Sequence, residues 1–286
     1  MHHSSRLRHL IGLGKAIGPL AALRVWGRRA MRQAAPVTAR AGGHPIRIRP
    51  LDSDPFVASQ IFGWKDYQLD AALLAGLHAL ARRQRAQGHQ PLIIDAGANV
   101  GYSALYFAAM FPEALVVAIE PDAVTFAELR ANAAREPRIH PVHGALWSHE
   151  NGVNLGGAPG DGSWSRQVAD GGSVPSRRLA SLVAAVPGGY PLIVKLDIEG
   201  AERTVFESDG AVFAQAPCIV IEPHDFMIPG GACLAPLFAA LAGRAMDTLI
   251  AGENLIFFDS SLVRPPQQPS GPAAALERHV YAASDV

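Results

Sequence analysis

The strongest constraint on this chain is an alternation of short apolar runs with helix-forming segments that begins near residue 91. The runs lack the alternation of polar and apolar residues that a half-exposed strand shows, so helices are expected to cover both of their faces. Alternating strands and helices are typical of a parallel sheet. The strand candidates are Leu92–Ile94, Leu115–Ile119, Leu192–Leu196 and Ile219–Ile221.

A pair of strand candidates near the C-terminus departs from this parallel pattern. Asp247–Ala251 and Asn254–Phe258 are separated by Gly252 and Glu253 alone. Two residues can join antiparallel strands in a hairpin, whereas a parallel crossover needs about a dozen residues or more. The chain is therefore expected to have an α/β fold whose parallel sheet ends in an antiparallel hairpin.

The distribution of charge separates a basic part of the chain from an acidic part. The 286 residues contain 25 Lys and Arg and 25 Asp and Glu, which gives a net charge of zero. Ten of the basic residues precede position 50, whereas the first acidic residue is Asp52. A basic arm thus precedes an acidic body, which excludes a globally basic nucleic-acid-binding protein. The 49% of hydrophobic residues also exclude intrinsic disorder for most of the chain.

Changes in composition along the chain suggest three parts. Residues 1–50 are expected to be a basic helical arm and linker. The main domain is expected at 51–262, with a helical lead-in at 51–90 and an α/β core at 91–262. Residues 263–286 are expected to form a surface tail.

Apolar residues at helical spacing predict the helices that precede the core. In the arm they are Leu10, Leu13, Ile17 and Leu20, and Pro19 suits the start of a second helix. Residues 34–50 contain proline and glycine and are expected to be a linker. A longer amphipathic helix is expected over 64–87, with a stripe formed by Leu69, Leu73, Leu77 and Leu80.

The glycine-rich segment 149–176 is too long for an ordinary connection within a compact domain. Three interpretations stay open for it, namely a functional loop, a small flap and a disordered insert. Contacts with a substrate are expected in this region.

Cysteine content and hydropathy bear on the compartment. Cys218 and Cys233 are too few for a disulfide framework, and Cys218 begins an apolar run as a small core residue would. No apolar run reaches 18 residues, so no membrane span is expected. We therefore expect a cytoplasmic protein. Peripheral contact of residues 1–33 with the inner face of a membrane is a further hypothesis.

The first motif follows the strand candidate that begins at Leu92. Gly97 and Gly101 in the turn between this strand and a helix let the backbone approach a ligand at the helix N-terminus. A dinucleotide-binding fingerprint would also require glycine or alanine at position 102, where Tyr102 stands. The turn therefore indicates a ligand site, against the alternative of a purely structural turn.

The second motif is a carboxylate at the end of the next strand. Glu120 would lie beside the first turn in a doubly wound sheet, where its oxygens could accept two ribose hydroxyl groups. The alternative is a helix N-cap, but Asp122 fills that role better because a helix is expected from Ala123 to Arg135. The pattern predicts Glu120 as a ribose-binding residue.

Aromatic side chains follow the third strand of the core. His143 and Trp147 lie where a doubly wound sheet borders an adenine pocket. Each could contact a base, and each could equally be an aromatic residue at the edge of the core. Both interpretations stay open.

Carboxylates close the fourth strand. If the strand continues as far as Glu199, its alternation places Lys195, Asp197 and Glu199 on one side, and Asp197 and Glu199 lie at the edge where ligands bind. Carboxylates at the end of an apolar strand are costly unless they meet water, a cation or hydrogen-bond donors. For Glu199 and Glu202 the alternative is a favourable charge in the first turn of a helix.

The fifth strand ends in a histidine between acidic residues. His224 is a candidate general base because the pKa of histidine lies near neutrality. Structural histidines are also common, so that alternative stays open. Catalysis without a metal ion is the first expectation for this site. As an alternative, Asp197, Glu222 and Asp225 could hold Mg²⁺, which prefers oxygen ligands.

Taken together, these motifs resemble the FkbM family of S-adenosylmethionine-dependent methyltransferases. The resemblance covers roughly residues 90–260, and the order GAN-x-G, EP, K-x-D-x-EG is its most specific part. The matching stretches are IDAGANVGYS (94–103), IEPD (119–122), GALWS (144–148), RRLASL (177–182), VKLDIEGAE (194–202), IEPH (221–224) and ENLIFF (253–258).

The resemblance implies a Rossmann-like, seven-stranded methyltransferase sheet whose reversed last strand lies in the hairpin at 247–258. It also implies a set of cofactor-binding residues for S-adenosylmethionine. They are Asp95, Gly97, Asn99 and Gly101 at the methionine end, Glu120 at the ribose, and His143, Ala145 and Asp197.

The implied activity is methylation of a hydroxyl group on a sugar or another natural product. Asp197 and Glu199 would face the site of methyl transfer, with His224 as the third catalytic residue. The expected partner is therefore a small-molecule or glycan acceptor. Two alternatives are a nicotinamide-dependent oxidoreductase on a similar sheet and a non-catalytic, membrane-recruited binding module. The arm could also pack on the domain or mediate homo-oligomerisation.

Overall fold

A computed structural model describes residues 2–156, 168–225 and 229–263, with side chains from residue 7 onward. The helices are α1 (His2–Ile17), α2 (Pro19–Ala30), α3 (Asp54–Ala58), α4 (Ala71–Ala86), α5 (Tyr102–Met110), α6 (Ala123–Ala133), α7 (Leu179–Ala184), α8 (Glu202–Phe213), α9 (Ala235–Leu241) and α10 (Ser260–Val263). A π-helical segment spans Ser59–Trp64.

The strands form one large sheet and three small ones. The strands are β1 (Val37–Ala41), β2 (His44–Ile48), β3 (Gln90–Ala96), β4 (Leu115–Glu120), β5 (Ile139–His143), β6 (Ala145–Leu146), β7 (Val153–Leu155), β8 (Val168–Asp170), β9 (Ser176–Arg177), β10 (Gly189–Leu196), β11 (Cys218–Ile221), β12 (Met246–Ala251) and β13 (Asn254–Asp259).

The large sheet has seven strands in the order β12-β13-β11-β10-β3-β4-β5. Strands β3, β4, β5, β10 and β11 are parallel, whereas β13 runs antiparallel to both of its neighbours, β11 and β12. Each strand candidate of the sequence lies in this sheet. The predicted α/β class, with seven strands, a reversed C-terminal hairpin and N-terminal helices, is confirmed.

Helices cover both faces of this sheet, as the lack of polar alternation in its strands predicts. Successive residues of β3 enter opposite cores: Ile93 packs in the core that contains α1, α4 and α5, and Ile94 in the core that contains α7, α8 and α9. Cys218 is fully buried in the first core. The core position predicted for Cys218 is therefore confirmed.

The linker predicted at 34–50 contains an antiparallel hairpin, β1–β2. The hairpin is held by the main domain: the Arg47 N–H donates to Asn132 Oδ1 at 2.8 Å, and the Tyr102 hydroxyl donates to the Arg47 carbonyl at 2.5 Å. Since these partners lie 55 residues or more along the chain, local composition alone did not indicate the strands.

The predicted helix at 64–87 is shorter than expected and begins at α4. Lys65 ends the preceding π-helical segment in a left-handed conformation. Asp70 then takes an extended conformation, and its carboxylate accepts the N–H of Leu73 at 2.9 Å as an N-cap. The apolar stripe is confirmed for Leu73, Leu77 and Leu80, which are all buried on α4, whereas Leu69 is buried but precedes the helix.

The arm packs on the domain. α1 and α2 meet at Gly18, and α2 begins at Pro19 as predicted. Leu13 and Val25 are fully buried in the same core as residues of α4 and α5. Among the described residues, no helix combines the length and the hydropathy that a bilayer crossing requires.

The ends of the glycine-rich segment are structured. β7 and β8 pair in a small antiparallel sheet, and β6 pairs with β9 in a parallel one. This arrangement favours the flap interpretation for the described part, while 157–167 lies outside the described residues. The tail predicted at 263–286 lies outside them from residue 264 onward.

Candidate active site

An open cleft of about 620 Å³ lies at the carboxyl ends of the central strands. The sheet order places β3 between β4 and β10, the point where strand order reverses and where open α/β sheets bind ligands. In the described part of the chain the cleft is lined by Gly97, Asn99, Ile119, Glu120, Pro121, Asp122, Gly144, Ala145, Leu146, Val168, Asp197, Ile198 and Glu199.

The turn after β3 forms the floor of the cleft. Gly97 has a φ of +71°, and a Cβ there would overlap the carbonyl oxygen of Asp197, so only glycine fits. Asn99 also has a positive φ, of 49°, and its N–H donates to Glu120 Oε2 at 3.0 Å. The Asn99 side-chain oxygen is buried without a hydrogen-bond partner among the described residues. Both residues lie where a ligand would contact them.

Two other residues expected to bind the cofactor lie behind this turn. Asp95 is fully buried, and its Oδ2 accepts the Ser103 hydroxyl at 2.6 Å. Gly101 begins α5, and a Cβ there would overlap Leu129 of α6. Asp95 and Gly101 therefore support the turn in this structure, and a direct contact with the cofactor stays a prediction for both.

Lys195 is a buried cation beneath the cleft. It lies opposite Asp95 in the β10–β3 register, with Nζ 3.2 Å from Asp95 Oδ1 and 3.5 Å from Asp197 Oδ2. It also donates to the carbonyl of Gly97 at 2.8 Å. Burial acts to lower the pKa of Lys195, but Asp95 and the other anionic neighbours raise it above the usual value. Lys195 thus stays charged and ties the floor of the cleft to Asp197.

Glu120 lies at the end of β4, as the sequence predicts. It is 6% exposed, and its two oxygens accept the N–H groups of Asn99 and Asp122 at 3.0 and 2.8 Å. Burial raises its pKa to about 7, although both hydrogen bonds act to lower it. A carboxylate can accept about four hydrogen bonds, so Glu120 retains capacity for ligand hydroxyl groups. Asp122 is the N-cap of α6, as expected.

The candidates at the end of β5 have different roles. Ala145 lines the cleft. His143 stacks on Phe126, with ring centroids 5.0 Å apart, and its Nε2 lies 3.1 Å from the Pro121 carbonyl. Trp147 is buried in the core and donates to Asp170 Oδ1 at 2.6 Å. The core-edge interpretation therefore holds for Trp147, and His143 borders the cleft through Pro121.

Carboxylates surround the buried His224 next to the part of the cleft that Asp197 and Glu199 line, and we call this group of side chains the mouth of the cleft. Its Nδ1 lies 2.6 Å from Glu202 Oε1. Its Nε2 lies 3.7, 3.9 and 4.0 Å from carboxylate oxygens of Glu199, Glu222 and Asp197. Hydrogen bonds from Asp197 N to Ala96 O and from Glu222 N to Leu196 O continue the strand pairing and bring these residues together.

This crowding shifts the pKa values of the group. Burial raises the pKa of Glu199 to about 7 and that of Glu222 to about 8. Burial acts to lower the pKa of His224, but the Glu202 hydrogen bond and the surrounding carboxylates raise it to about 9. His224 therefore holds a proton at neutral pH, which disfavours the general-base role expected for it. Glu199, with a pKa of about 7, is better suited to accept a proton.

The set of possible metal ligands differs from the predicted one. The ligand atoms of Asp197, Glu199 and His224 lie within 4.8 Å of one another. Asp225, which the sequence pattern grouped with Asp197 and Glu222, accepts the N–H of Cys233 at 2.9 Å instead. The group of possible ligands among the described residues therefore shares only Asp197 with the alternative magnesium set.

Three side chains near the cleft were not predicted as site residues. Glu202 had been interpreted as a helix-terminal charge, yet it also bonds His224. Tyr67, from the lead-in, is buried where the charges of Lys195 and Asp197 act on it, and burial raises its pKa. Val168 lines the cleft from the glycine-rich segment. Only for Val168 did the sequence carry a hint, since contacts were expected from that segment.

Solved structures similar to this chain are methyltransferases at low identity. A putative O-methyltransferase from Klebsiella pneumoniae is 11% identical over 70% of this chain and 83% of that chain, with a TM-score of 0.38. Precorrin-6y C5,15-methyltransferase from Geobacter metallireducens is 10% identical over 63% and 83%, with a TM-score of 0.35. TYW2 from M. jannaschii, in complex with AdoMet, is 11% identical over 78% and 85%, with a TM-score of 0.34. Likenesses this distant carry no argument about activity.

The family assignment rests on sequence. No curated protein matches the chain. The model of the methyltransferase FkbM domain matches residues 95–250, a span that runs from the first turn of the cleft to the C-terminal hairpin. This match covers more than half of the 286 residues, and the alternative of a nicotinamide-dependent oxidoreductase is set aside. The chain belongs to the FkbM methyltransferase family and is an S-adenosylmethionine-dependent methyltransferase.

Proposed function

We propose that this methyltransferase methylates a hydroxyl group of a small-molecule or glycan acceptor. The observation that carries the proposal is the group of carboxylates at the mouth of the cleft, Asp197, Glu199 and Glu222, gathered around His224. Carboxylates accept hydrogen bonds from hydroxyl groups and can take up the proton that a hydroxyl loses on methylation.

The residues of the cleft floor fit S-adenosylmethionine. Glu120 has oxygen lone pairs left for two ribose hydroxyl groups, and the buried side-chain oxygen of Asn99 lacks a protein partner in the described chain. Gly97 and the small Ala145 both line the cleft. We assign Gly97, Asn99, Glu120 and Ala145 to the cofactor, with Asp197 between the cofactor and the acceptor.

The chain's own contribution to the reaction is alignment and proton removal. When bound, S-adenosylmethionine would supply an electrophilic methyl group to the acceptor oxygen, and its sulfur would keep the electron pair of the broken carbon–sulfur bond. Glu199, with a pKa of about 7, accepts the hydroxyl proton, which makes it the general base in place of His224. Alignment of such reactants can lower a barrier by up to ~7–11 kcal/mol.

His224 positions the base. Its buried ring is oriented by Glu202 at 2.6 Å, and its positive charge stabilises the carboxylate form of Glu199 in the resting protein. Lys195 lies on the other side, with Nζ 3.5 Å from Asp197 Oδ2. The cations thus keep both carboxylates in place without touching the acceptor.

The test is to identify the methylated atom. Full-length protein is incubated with methyl-labelled S-adenosylmethionine and matched panels of polyols, sugars, phenols and amines, and products are analysed by mass spectrometry and NMR. The expected result is a methoxy carbon on a hydroxyl acceptor. Label transfer to amines alone, with none to hydroxyl groups, would contradict hydroxyl specificity while leaving the methyltransferase assignment intact.

A further inference from the structure

The two helices of the arm expose a row of large apolar side chains that the methyltransferase site does not use. The exposed fractions are 76% for Leu20, 70% for Leu23 and 64% for Met31, at or next to α2. On α1, Leu7 is 59% exposed, and Leu10 and Ile11 nearly half. We call these six residues the arm surface.

Each helix of the arm has two apolar faces. Positions 7, 10 and 11 share one face of α1, and positions 20, 23 and 31 share one face of α2 and its C-cap, by the 3.6-residue period. Leu13 and Val25, which point away from these faces, are fully buried in the core. One face therefore attaches the arm to the domain, and the other remains at the surface.

The arm surface is held in a fixed position on the body. Arg29 of α2 donates from Nη1 to the carbonyl oxygens of Pro50 and Asp52 at 2.6 and 3.0 Å. Trp26 packs edge-to-face on Phe56 of α3, with ring centroids 5.7 Å apart. The exposed leucines are thus presented by a packed element, so no unfolding is needed to offer them to a partner.

The charge of the arm indicates what kind of surface the arm surface can bind. Ten basic and no acidic residues precede position 50, whereas the remainder has 15 basic and 25 acidic residues. Arg24 lies on the exposed face of α2 beside Leu20 and Leu23, and Arg32 follows Met31. An anionic surface therefore attracts the arm and repels the body, which orients the molecule. A second copy of the same arm would instead be repelled.

We propose that the arm surface docks on an anionic lipid membrane. Helices with leucine on one face and arginine along it lie in the headgroup region, with apolar side chains inserted and guanidinium groups at the level of the phosphates. Each basic residue near such a surface adds attraction that salt weakens. This binding is peripheral, and it is independent of the proposed acceptor.

Vesicle flotation of the full chain tests this proposal. Vesicles of phosphatidylcholine alone are compared with an equal mixture of phosphatidylcholine and phosphatidylglycerol. Wild-type protein is expected to float with the mixed vesicles, less so at high salt and with phosphatidylcholine alone. The Leu20→Ser/Leu23→Ser variant should lose on the order of tenfold in partitioning, because two leucine side chains no longer leave water.

A matched control separates the arm from exposed apolar residues in general. Val124 and Ile250 are 68% and 78% exposed but belong to the body. The Val124→Ser/Ile250→Ser variant should float like wild type. Failure of wild type to float with mixed vesicles, or equal flotation of the arm variant, overturns the proposal. A dimer by light scattering that L20S/L23S converts to monomer would also overturn it, by assigning the surface to a second copy.

Discussion

Two groups of charged side chains lie at the same edge of the sheet, and they differ in how their charges are balanced. Beneath the cleft, Lys195, Asp95 and Ser103 make contacts of 2.6 to 3.2 Å, and the cation and anion balance each other. At the mouth, His224 faces three carboxylates at 3.7 to 4.0 Å, so negative charge is in excess. The lower group pairs its cation with carboxylates of the protein, whereas the mouth carries more carboxylates than cations.

The difference teaches which changes should affect stability and which should affect turnover. A buried ion pair that loses one partner leaves an uncompensated charge, which is costly for folding. A carboxylate that lies among other carboxylates is repelled by them. Its replacement by a neutral side chain should therefore lower the free energy of unfolding only slightly. Mutations beneath the cleft and at its mouth should therefore have separable effects.

The largest expected effect is on turnover at the mouth. Glu199→Gln removes the proposed general base, and kcat should fall by about 10²- to 10⁴-fold because proton removal contributes that much. The dissociation constant of S-adenosylhomocysteine, measured by calorimetry, should stay near the wild-type value. Glu207→Gln, at an exposed position on α8, is the control. An unchanged kcat for E199Q would show that the proton goes elsewhere.

The next effect is on stability beneath the cleft. Lys195→Met leaves Asp95 buried without its cation, and the free energy of unfolding should fall by about 3–5 kcal/mol. Urea denaturation measures it, and the exposed Lys65→Met should change it by less than about 0.5 kcal/mol. The double variant Asp95→Asn/Lys195→Met should recover part of the loss. If the free energy of unfolding fell by less than about 1 kcal/mol in the Lys195→Met variant, the group beneath the cleft would not differ from the mouth in its contribution to stability.

The third effect concerns Glu120, which lies at the end of β4 and belongs to neither group. Its pKa of about 7 means that the carboxyl is protonated below that pH in the ligand-free protein. Since ribose hydroxyl groups donate to the ionised form, affinity for S-adenosylhomocysteine should rise as pH increases towards 7, at most tenfold per unit, and then level off. Glu120→Gln should bind about 10- to 100-fold more weakly above pH 7.

The same variant controls the pH profile. In E120Q the rise in affinity for S-adenosylhomocysteine between about pH 5.5 and 7 should disappear. Any pH dependence of the affinity that comes from Glu199 or His224 would persist. Calorimetric titrations of both proteins across this range decide the matter. A parallel rise in E120Q would assign the titration to the mouth of the cleft instead.

The smallest effect tests the hairpin contact. Tyr102→Phe removes the hydroxyl that donates to the Arg47 carbonyl at 2.5 Å. The free energy of unfolding should fall by about 1 kcal/mol, the usual net value of one hydrogen bond. Binding of S-adenosylhomocysteine should not change, because the tyrosine lies behind the cleft. Weaker binding in Y102F would mean that the hairpin controls the shape of the first turn.

The sequence predicted the strand ends well, because their geometry follows from local periodicity. The period of two in β10 placed Lys195 and Asp197 on one side, and the structure has Nζ of Lys195 3.5 Å from Asp197 Oδ2. Glu120 followed from the end of β4 in the same way. Residues at the ends of parallel strands meet at one edge, so their proximity could be predicted without coordinates.

Contacts between distant segments could not be predicted in this way. The protonation of His224 depends on Glu202, which is 22 residues away on α8. The hairpin at 37–48 depends on Asn132 and Tyr102. In the sequence, Gly101 suggests a turn whose backbone approaches a ligand closely. In the structure, the space that a side chain at position 101 would occupy is filled by Leu129. Each of these features is decided by a partner that composition and spacing do not identify.

The contact between Gly97 and Asp197 has a consequence for how this enzyme could be altered. The carbonyl of Asp197 occupies the place where a side chain at position 97 would begin, so the two loops share one boundary. If the loop that carries Asp197 and Glu199 shifted to admit a bulkier substrate, the turn at Gly97 would be displaced as well. Changes of acceptor preference are therefore best sought at Leu146 and Val168, which line the cleft from other segments of the chain.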